Sequence, residues 1–516
     1  MTRLRRFILN GLLITAVSLL IRAVSVAFNV YVTNRIGAIA MGVFTLIMTV
    51  YGFSVTVATS GIGFATTRLI AEEQGRDLQD EDARIRCTVW RCTIYALCFS
   101  VGSAVALFIL SPFIGTNVLH DLRVVKPLRV LALTLPTVSV SSVFSGYFIA
   151  RRRVYKNAVV QTLGQIMKIF LSVFFLSLPV GQGVEGGCLA IIYSNVITEY
   201  GSFIIHGCLF LAEQKKGYGK DISERGKKQI QGAILRTSLP MAFSAYIRSG
   251  LVALEHILIP IGLEKSGNSK DHSLAAYGTV HSVAFPLVLF PAAISASFAG
   301  LLIPEIAEAQ GANDQKRVHR IIQLAFRSVM LFSIGTGGIL FFYSDDIANN
   351  FLNNSEAGTY IRMIAPLVPV MYLDTVVDSI LKGLGEQVYC ISVNIVDSLL
   401  SVILVCILLP KMGIGGYILT VYFTETVNAF LSLIRLLKFK KIKIHPMKQI
   451  VMPLIFVVSS TCITRILIQR YTDGVQSASQ LMAHLALNIV FYLLFLSLAG
   501  CFSFNKKSKR NNVMTD

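Results

Sequence analysis

Long runs of apolar residues, separated by short polar segments, recur along the whole chain. An α-helix needs about 20 mainly apolar residues to cross the hydrocarbon core of a bilayer, and fourteen runs meet this requirement. They lie at approximately 7–33, 38–63, 88–112, 125–150, 157–178, 187–212, 233–260, 275–302, 321–344, 358–382, 388–410, 414–437, 448–470 and 481–503. The pattern predicts an all-α membrane protein with fourteen transmembrane helices.

Composition agrees with this prediction and excludes several classes of protein. Of the 516 residues, 54% are hydrophobic and only 15% are charged, whereas a soluble domain has about 25% charged residues. The nine cysteines are scattered and form no Cys-x-x-Cys pair, which argues against a disulfide framework and against a zinc ribbon. The sequence contains no P-loop for ATP, and we predict no cofactor.

The formal net charge of +19 is explained by where the basic residues lie. The two termini and the segments after every second helix hold 33 Lys and Arg residues, whereas the opposite segments hold nine. The positive-inside rule then places both termini in the cytoplasm. We expect the basic segments Lys438 to Lys448 and Lys506 to Arg510 to bind anionic membrane lipids. Nucleic acid is not an expected partner.

Comparison of the chain with itself reveals a repeated unit of six helices. The matching pairs are Ile21-Arg22 with Ile247-Arg248, Gly42 with Gly278, Leu128-Arg129 with Ile361-Arg362, and Thr198-Glu199 with Thr424-Glu425, at offsets of 226, 236, 233 and 226 residues. The differences between these offsets fall at loops. Six is an even number, so both copies enter the membrane from the same side, as parallel repeats about an axis along the membrane normal.

The repeat divides the chain into four predicted parts. Residues 1–212 form an N-terminal lobe of six helices, 213–232 a cytoplasmic linker, 233–437 a C-terminal lobe of six helices, and 438–516 the last two helices with a basic tail. Two similar lobes that face each other would enclose a cavity near the membrane midplane, where transporters of this plan bind their substrate.

The opening of the chain resembles a known family of exporters. The residues that carry the resemblance are Ile21-Arg22, Asn34-Arg35-Ile36-Gly37-Ala38, Met41-Gly42-Val43-Phe44, Ser60-Gly61-Ile62-Gly63 and Arg68-Leu69-Ile70-Ala71-Glu72. They are similar to the stage V sporulation protein B and polysaccharide exporter family, which belongs to the superfamily of multidrug, oligosaccharidyl-lipid and polysaccharide (MOP) exporters. The resemblance implies two six-helix lobes in a V shape, as in the multidrug (MATE) branch, and a bacterial plasma membrane protein that is a monomer.

The function that this resemblance implies is transport rather than catalysis. The expected substrate is an undecaprenyl-pyrophosphate-linked oligosaccharide, a peptidoglycan precursor for spore cortex synthesis, moved by alternating access. Related lipid II flippases have a second arginine shortly after the first in helix 1, where this chain has Phe28-Asn29, so its head-group contacts are expected to differ. The alternative is an ion-coupled exporter of organic cations of the same superfamily, and a membrane-embedded transferase or hydrolase is a third hypothesis.

Two arginines inside the predicted helices are the candidate substrate-binding residues. Arg22 and Arg248 occupy equivalent places near the membrane midplane, where a charge is unfavourable by about 3 kcal/mol and rarely faces lipid. A planar guanidinium binds phosphate through two hydrogen bonds, which suits a pyrophosphate-linked lipid. Ser25 and Asn29 lie on the same helical face as Arg22 and extend this polar site. The structural alternative is that each arginine ties helices together through backbone carbonyls or a carboxylate.

Intramembrane carboxylates are the candidates for ion coupling or gating. Glu255 follows Arg248 on one face of helix 7, and Asp374 and Asp378 share a face of helix 10. Two carboxylates that close together favour binding of a proton or a cation, although a water-lined surface explains them too. An exporter of cations should also present carboxylates, so these residues support the alternative function. Four further intramembrane charges have no role that the sequence assigns: Lys168, Glu199, Asp397 and Glu425.

Overall fold

The computed structural model describes residues 3–74, 81–178, 183–213, 224–352, 354–439, 446–469 and 477–501. These residues form helices and no β-strand, which confirms the predicted all-α class. The α-helices are α1 (Arg3–Ile36), α2 (Ala38–Thr59), α3 (Ile62–Gln74), α4 (Glu81–Phe113), α5 (Val125–Ala132), α6 (Leu135–Ala150), α7 (Val154–Ser177), α8 (Gly183–Glu213), α9 (Glu224–Lys265), α10 (Lys270–Thr279), α11 (Phe285–Leu289), α12 (Ala292–Gly311), α13 (Gln315–Phe342), α14 (Ser344–Ile347), α15 (Ser355–Ile364), α16 (Val368–Gly383), α17 (Gln387–Phe439), α18 (Met452–Gln469) and α19 (Ala478–Leu498).

The length and apolar character of these helices identify a multi-pass membrane protein. In the described ranges, eleven helical segments can cross a membrane, or twelve if the bent pair Leu122–Ala132 and Leu135–Ala150 is one span. One of the eleven is the 53-residue α17, which contains a backbone kink at Gly413, with φ 58° and ψ −139°. This kink falls between the predicted helices at 388–410 and 414–437. The number fourteen stays a prediction.

The chain forms two compact units that alternate in sequence. Unit 1 comprises Met1–Val30, Thr279–Asp397 and Ile418–Asp516, and unit 2 comprises Tyr31–Gly278 and Ser398–Tyr417. The long helix α9, which the repeat assigns to the second lobe, packs against α2 and α3 of unit 2. The predicted lobes are continuous in sequence, whereas these two units are interleaved. The lobe boundaries at residues 212 and 233 therefore stay a prediction.

The internal repeat is visible in matching local structure. A five-residue π-helical turn follows α4 at Ile114–Val118, and another follows α14 at Ala348–Leu352. Near the first turn, Arg129 Nε donates to Ser111 Oγ at 3.2 Å, and near the second, Arg362 Nε donates to Ser344 Oγ at 3.1 Å. Each arginine lies 18 residues after its serine. The same hydrogen bond, at the same spacing along the chain, therefore accompanies both members of this matched pair of the sequence repeat.

The last two helices pack against the second copy of the repeat, within unit 1. Tyr492 of α19 donates its hydroxyl hydrogen bond to the Leu331 carbonyl of α13 at 2.7 Å. Asn488 is fully buried, and its amide contacts Thr461 of α18 at 2.9 Å and accepts from Ser460 at 3.0 Å. Hydrogen bonds between helices stabilise such packing because no water competes for these groups inside the bilayer.

Candidate functional site

Arg22 contacts the break between helices α11 and α12 of unit 1. Its Nη1 donates a hydrogen bond to the Leu289 carbonyl at 3.2 Å, and its side chain is exposed. Leu289 is the last residue of α11, and α12 begins at Ala292. The arginine therefore contacts a backbone carbonyl, as the structural alternative predicts. A guanidinium has several N–H donors, so this single contact still leaves donors for a ligand.

Tyr372 of α16 contacts the same break from the buried side. Its hydroxyl donates to the Val288 carbonyl at 2.7 Å, and its ring is stacked with the Phe332 ring at 6.1 Å between centroids. Tyr372 is only 1% exposed. The sequence does not single out this residue, because a tyrosine in an apolar helix gives no signal of its own. The Phe290-Pro291 pair was the available sign of a break in the helix.

Ser25 and Asn29 follow Arg22 on α1, as predicted, and both are half-buried. The Ser25 hydroxyl donates to the Ile21 carbonyl of its own helix at 2.8 Å. Such a bond satisfies the hydroxyl locally and leaves the oxygen as an acceptor. Their role in substrate binding stays a prediction.

Arg248 lies on α9 in unit 2. Its neighbours on the helix pack against α2, where Ser249 and Thr56 hydroxyls share a hydrogen bond of 3.1 Å and the Cβ position of Gly250 lies 3.4 Å from the Phe53 ring. Arg248 itself is exposed, and we find no hydrogen-bond or ion-pair partner for it among the described residues. An exposed guanidinium without such a partner is available to bind an anion.

Glu255 and His256, which follow Arg248 on α9, differ in their surroundings. His256 Nδ1 and the buried Tyr277 hydroxyl share a hydrogen bond of 2.8 Å, and the two rings are perpendicular. This arrangement supports a structural role for the histidine. Glu255 is half-buried, and its charge acts on the Tyr277 hydroxyl. Its role in coupling or gating stays a prediction.

The acidic residues of α16 belong to a larger polar cluster of unit 1. Asp374 accepts a hydrogen bond of 3.4 Å from Asn428 Nδ2, and Asp378 accepts one of 3.4 Å from Ser432 and pairs with Lys382 at 3.5 Å. The charges of Asp378, Glu425 and Asp397 all act on Asp374. We call these four acidic residues together with Asn428 the acidic cluster. The structure thus brings together residues that the sequence could not pair.

Asp374 Oδ1 and Asn428 Oδ1, which belong to the acidic cluster, are buried and lack a hydrogen-bond partner in the described part of the chain. Buried polar atoms are normally satisfied, so each exception calls for an explanation such as an ion or a water molecule. Within the described ranges, no three His, Cys, Asp or Glu side chains are close enough to hold a metal ion. A carboxylate can accept a proton, and carboxylate and amide oxygens can bind a cation.

Unit 2 holds a different arrangement at the corresponding place of the repeat. Glu199 of α8 is the counterpart of Glu425 in the sequence repeat. Its charge interacts with that of Lys168 on the adjacent helix α7. The two helices pack closely, because the Cβ position of Gly164 lies 3.0 Å from Ser202 Oγ. In the first repeat, the charge of Lys168 thus compensates the charge of Glu199. In the second repeat, the counterpart Glu425 lies among other carboxylates.

Unit 1 contains an apolar cavity of about 670 Å³. Residues from the α11–α12 break, α13 and α19 line it, among them Phe290, Leu331, Phe332, Ile489, Tyr492 and Leu493. Phe290 is the residue directly after Leu289, whose carbonyl binds Arg22. The sequence could not reveal this cavity, because its walls come from segments that are far apart along the chain.

Comparisons with known proteins identify the family of this chain and several similar proteins. Residues 8–310 match the family described as polysaccharide biosynthesis protein, and residues 266–407 match the MatE family. Stage V sporulation protein B of Bacillus subtilis (strain 168) is 22% identical over 498 residues, which are 95% of this chain and 95% of that protein. Sporulation protein YkvU of the same organism is 22% identical over 371 residues, covering 70% of this chain and 79% of that protein.

Two solved structures have a similar fold. The lipid II flippase MurJ in an inward closed conformation has a TM-score of 0.71 at 12% identity, covering 95% of this chain and 99% of that chain. An inward-facing multidrug resistance MATE family transporter of the MOP superfamily has a TM-score of 0.64 at 15% identity, covering 82% and 96%. At these identities the likeness establishes the fold alone.

Proposed function

Because the chain belongs to the polysaccharide biosynthesis protein family, we propose that it is a flippase that moves an undecaprenyl-pyrophosphate-linked oligosaccharide across the bacterial plasma membrane by alternating access. It is a transporter and not an enzyme, in keeping with its family and fold. Both termini lie in the cytoplasm, and the basic segments near them contact anionic lipids.

The observation that carries this proposal is that adjacent residues of the chain connect Arg22 with the apolar cavity. The arginine binds the Leu289 carbonyl, and Phe290, the next residue, lines the cavity. A polyprenyl pyrophosphate has an anionic end and a long apolar end, and it needs a guanidinium and an apolar groove close together. In this proposal Arg22 binds the pyrophosphate while the cavity holds part of the chain. Arg248 is a second phosphate-binding residue, and Ser25 and Asn29 extend the polar site beside Arg22.

The names of two similar proteins support the choice of substrate. One is stage V sporulation protein B, and the other is a lipid II flippase. We therefore infer that the glycan is a peptidoglycan precursor and that the protein serves spore cortex synthesis. A monomer is sufficient for this function, because the site elements named here belong to one chain.

The acidic cluster supplies the energy coupling in this proposal. Asp374 and Asp378 bind a proton or a monovalent cation, with the buried oxygen atoms of Asp374 and Asn428 as ligands. Several carboxylates in a low-dielectric site repel one another, and a bound cation relieves that repulsion. In the first repeat, Lys168 already compensates Glu199, so the cation binds in the second repeat. Glu255 acts as a gating residue on α9.

A second candidate function is favoured by the same cluster. An exporter of organic cations needs carboxylates that attract its substrate, and Asp374 with its acidic neighbours could do so. The two functions make opposite electrostatic demands. Removal of the aspartates erases the attraction for an organic cation, whereas it reduces the repulsion of an anionic pyrophosphate.

Transport by the purified protein in liposomes tests the proposal directly. The two probes are a fluorescent undecaprenyl-pyrophosphate-linked sugar and a lipophilic cationic dye. We expect the lipid to be flipped, Arg22→Ala and Arg248→Ala to abolish flipping, and Arg22→Lys to retain part of it, because lysine keeps the charge but loses the forked geometry. Arg35→Ala is the matched control on α1, since Arg35 is exposed near the end of that helix, and it should flip the lipid normally.

One outcome would contradict the flippase function, and another would contradict the binding role of the two arginines. Dye transport that requires Asp374 and Asp378, without any response to the lipid, would establish the cation exporter instead. Misfolding of both arginine variants, measured as loss of monodisperse protein, would support a purely structural role for Arg22 and Arg248.

A further inference from the structure

The break between α11 and α12 removes the regular helical donors from two carbonyl groups. In an α-helix the amide of residue i+4 bonds the carbonyl of residue i. Here the Ala293 amide bonds Phe290 at 3.3 Å instead of Leu289, and the Phe290 amide bonds Leu287 at 3.2 Å. Pro291 has no N–H to donate. The break therefore exposes the carbonyls of Val288 and Leu289 to other donors.

Side chains from two other helices donate hydrogen bonds to these carbonyls. Tyr372 donates to Val288 at 2.7 Å, and Arg22 donates to Leu289 at 3.2 Å. The Tyr372 hydroxyl thus supplies one donor at the end of α11, and the Arg22 guanidinium supplies the other. A buried donor that satisfies a carbonyl at a helix break helps to hold the geometry of that break, because an unsatisfied buried carbonyl would be unfavourable.

The side chains of Tyr372 and Arg22 differ in conformational freedom. Tyr372 is 1% exposed and is stacked with Phe332, so its ring is held in place. Arg22 is exposed, and the Leu289 carbonyl is the acceptor that its guanidinium contacts. A long arginine side chain loses rotamer entropy when it is immobilised. An acceptor that orients it beforehand makes ligand binding more favourable.

We propose that Tyr372 is a positioning residue for Arg22: by anchoring the α11–α12 break, its hydroxyl fixes the Leu289 carbonyl that orients the arginine toward an anionic phosphate. This inference rests on the proposed function in so far as Arg22 contacts the pyrophosphate. Tyr372 itself does not touch the substrate. Its effect passes through the backbone from Val288 to Leu289, which are adjacent residues.

Tyr372→Phe removes the hydroxyl and keeps the stacked ring, so it isolates the hydrogen bond. Tyr422→Phe is the matched control, because Tyr422 also donates to a carbonyl at 2.7 Å, that of Met363. The first measurement is the rate at which phenylglyoxal modifies Arg22 in the full-length protein, followed by mass spectrometry. We expect Tyr372→Phe to raise this rate several-fold and Tyr422→Phe to leave it unchanged. An unchanged rate in Tyr372→Phe would overturn the proposal.

The second measurement is the affinity for undecaprenyl pyrophosphate in detergent. A lost hydrogen bond corresponds to about three- to tenfold in affinity, so Tyr372→Phe should weaken binding by that factor. In the Arg22→Ala background the same change should have no further effect, since coupled residues are not additive. An equal loss in both backgrounds would make Tyr372 merely structural.

The two measurements separate this inference from the proposed function. Wild-type affinity of Arg22→Ala for undecaprenyl pyrophosphate would refute the substrate role of Arg22, whatever the modification rates are. A changed modification rate in Tyr372→Phe, together with that result, would still establish the positioning of Arg22 by Tyr372.

Discussion

Gly42 of α2 and Gly278 of α10 touch backbone to backbone, and they are counterparts in the two sequence repeats. A Cβ atom built on Gly278 would lie 2.6 Å from the Gly42 amide nitrogen, and one built on Gly42 would lie 2.0 Å from the Leu274 carbonyl oxygen. No side chain fits between helices that approach this closely. Small residues are the usual means by which membrane helices reach such distances.

The first prediction concerns this crossing. Gly42→Ala should lower the thermal stability of the purified protein, because the atoms that its methyl group meets belong to the backbone and cannot rotate away. Overpacking of this kind destabilises by about 1–3 kcal/mol. Gly52→Ala is the control on the same helix, since a Cβ there meets nothing within 4 Å. A melting temperature of Gly42→Ala equal to that of wild type would contradict the close approach.

The second prediction concerns the acidic cluster. Asp374→Asn with Asp378→Asn should slow lipid transport and remove its dependence on an imposed sodium or proton gradient, without a change in which substrate is carried. Asparagine keeps the shape of the side chain but removes the charge that holds a cation. Liposomes with a sodium gradient or a pH gradient in separate experiments identify the ion. Glu356→Gln is the control, because Glu356 is an exposed carboxylate of α15 outside the cluster. Gradient-driven transport that survives the double change would exclude the cluster from coupling.

The third prediction concerns acid stability at the segment between α4 and α5. Burial raises the pKa of Asp121, but the hydrogen bonds and charge of Arg123, with the charge of Lys270, outweigh this and hold the pKa below its ordinary value. The Arg123 Nη2 lies 2.6 Å from Asp121, and Lys270 Nζ lies 3.8 Å from it. Asp271 also faces Arg123, at 3.8 Å.

A depressed folded-state pKa stabilises the protein above the unfolded value, about 3.9, and this contribution disappears as the pH falls through the folded value. We therefore expect Asp121→Asn to melt at a lower temperature than wild type at pH 7. The difference should shrink as the pH is lowered from about 5 to 3. Melting curves of both proteins over this range provide the measurement. A difference that is constant with pH would mean that the charge of Asp121 contributes nothing.

The fourth prediction concerns topology. In a variant without the nine native cysteines, Tyr155→Cys should resist an impermeant thiol reagent in intact cells, and Ser355→Cys should react. Both positions are exposed, so access depends on the side of the membrane. Labelling after permeabilisation should modify both and serves as the control. The reverse pattern would refute cytoplasmic termini.

The sequence alone determined the helical fold and the repeat. Apolar runs about 20 residues long can satisfy their backbone hydrogen bonds inside a bilayer only as helices or closed barrels, and such runs are a local property that the sequence displays directly. The repeat is visible in matched pairs such as Arg129 and Arg362. Each of these arginines lies the same number of residues after the serine that it contacts. Arg22 and Asp374 were recognisable for a similar reason, since a charge in an apolar run is unusual in any fold.

Only the tertiary structure decided what those charges contact. Arg22 and Leu289 are 267 residues apart, and Asp374 and Asn428 are 54 apart. Such pairs form because whole helices pack together, and the packing depends on the shapes of many apolar side chains at once. At the backbone break that frees the Leu289 carbonyl, a tyrosine from another helix likewise donates a hydrogen bond to the adjacent Val288 carbonyl. Residue types and spacing therefore identified the charged residues of the site, whereas its acceptors and its apolar cavity depend on contacts between distant segments.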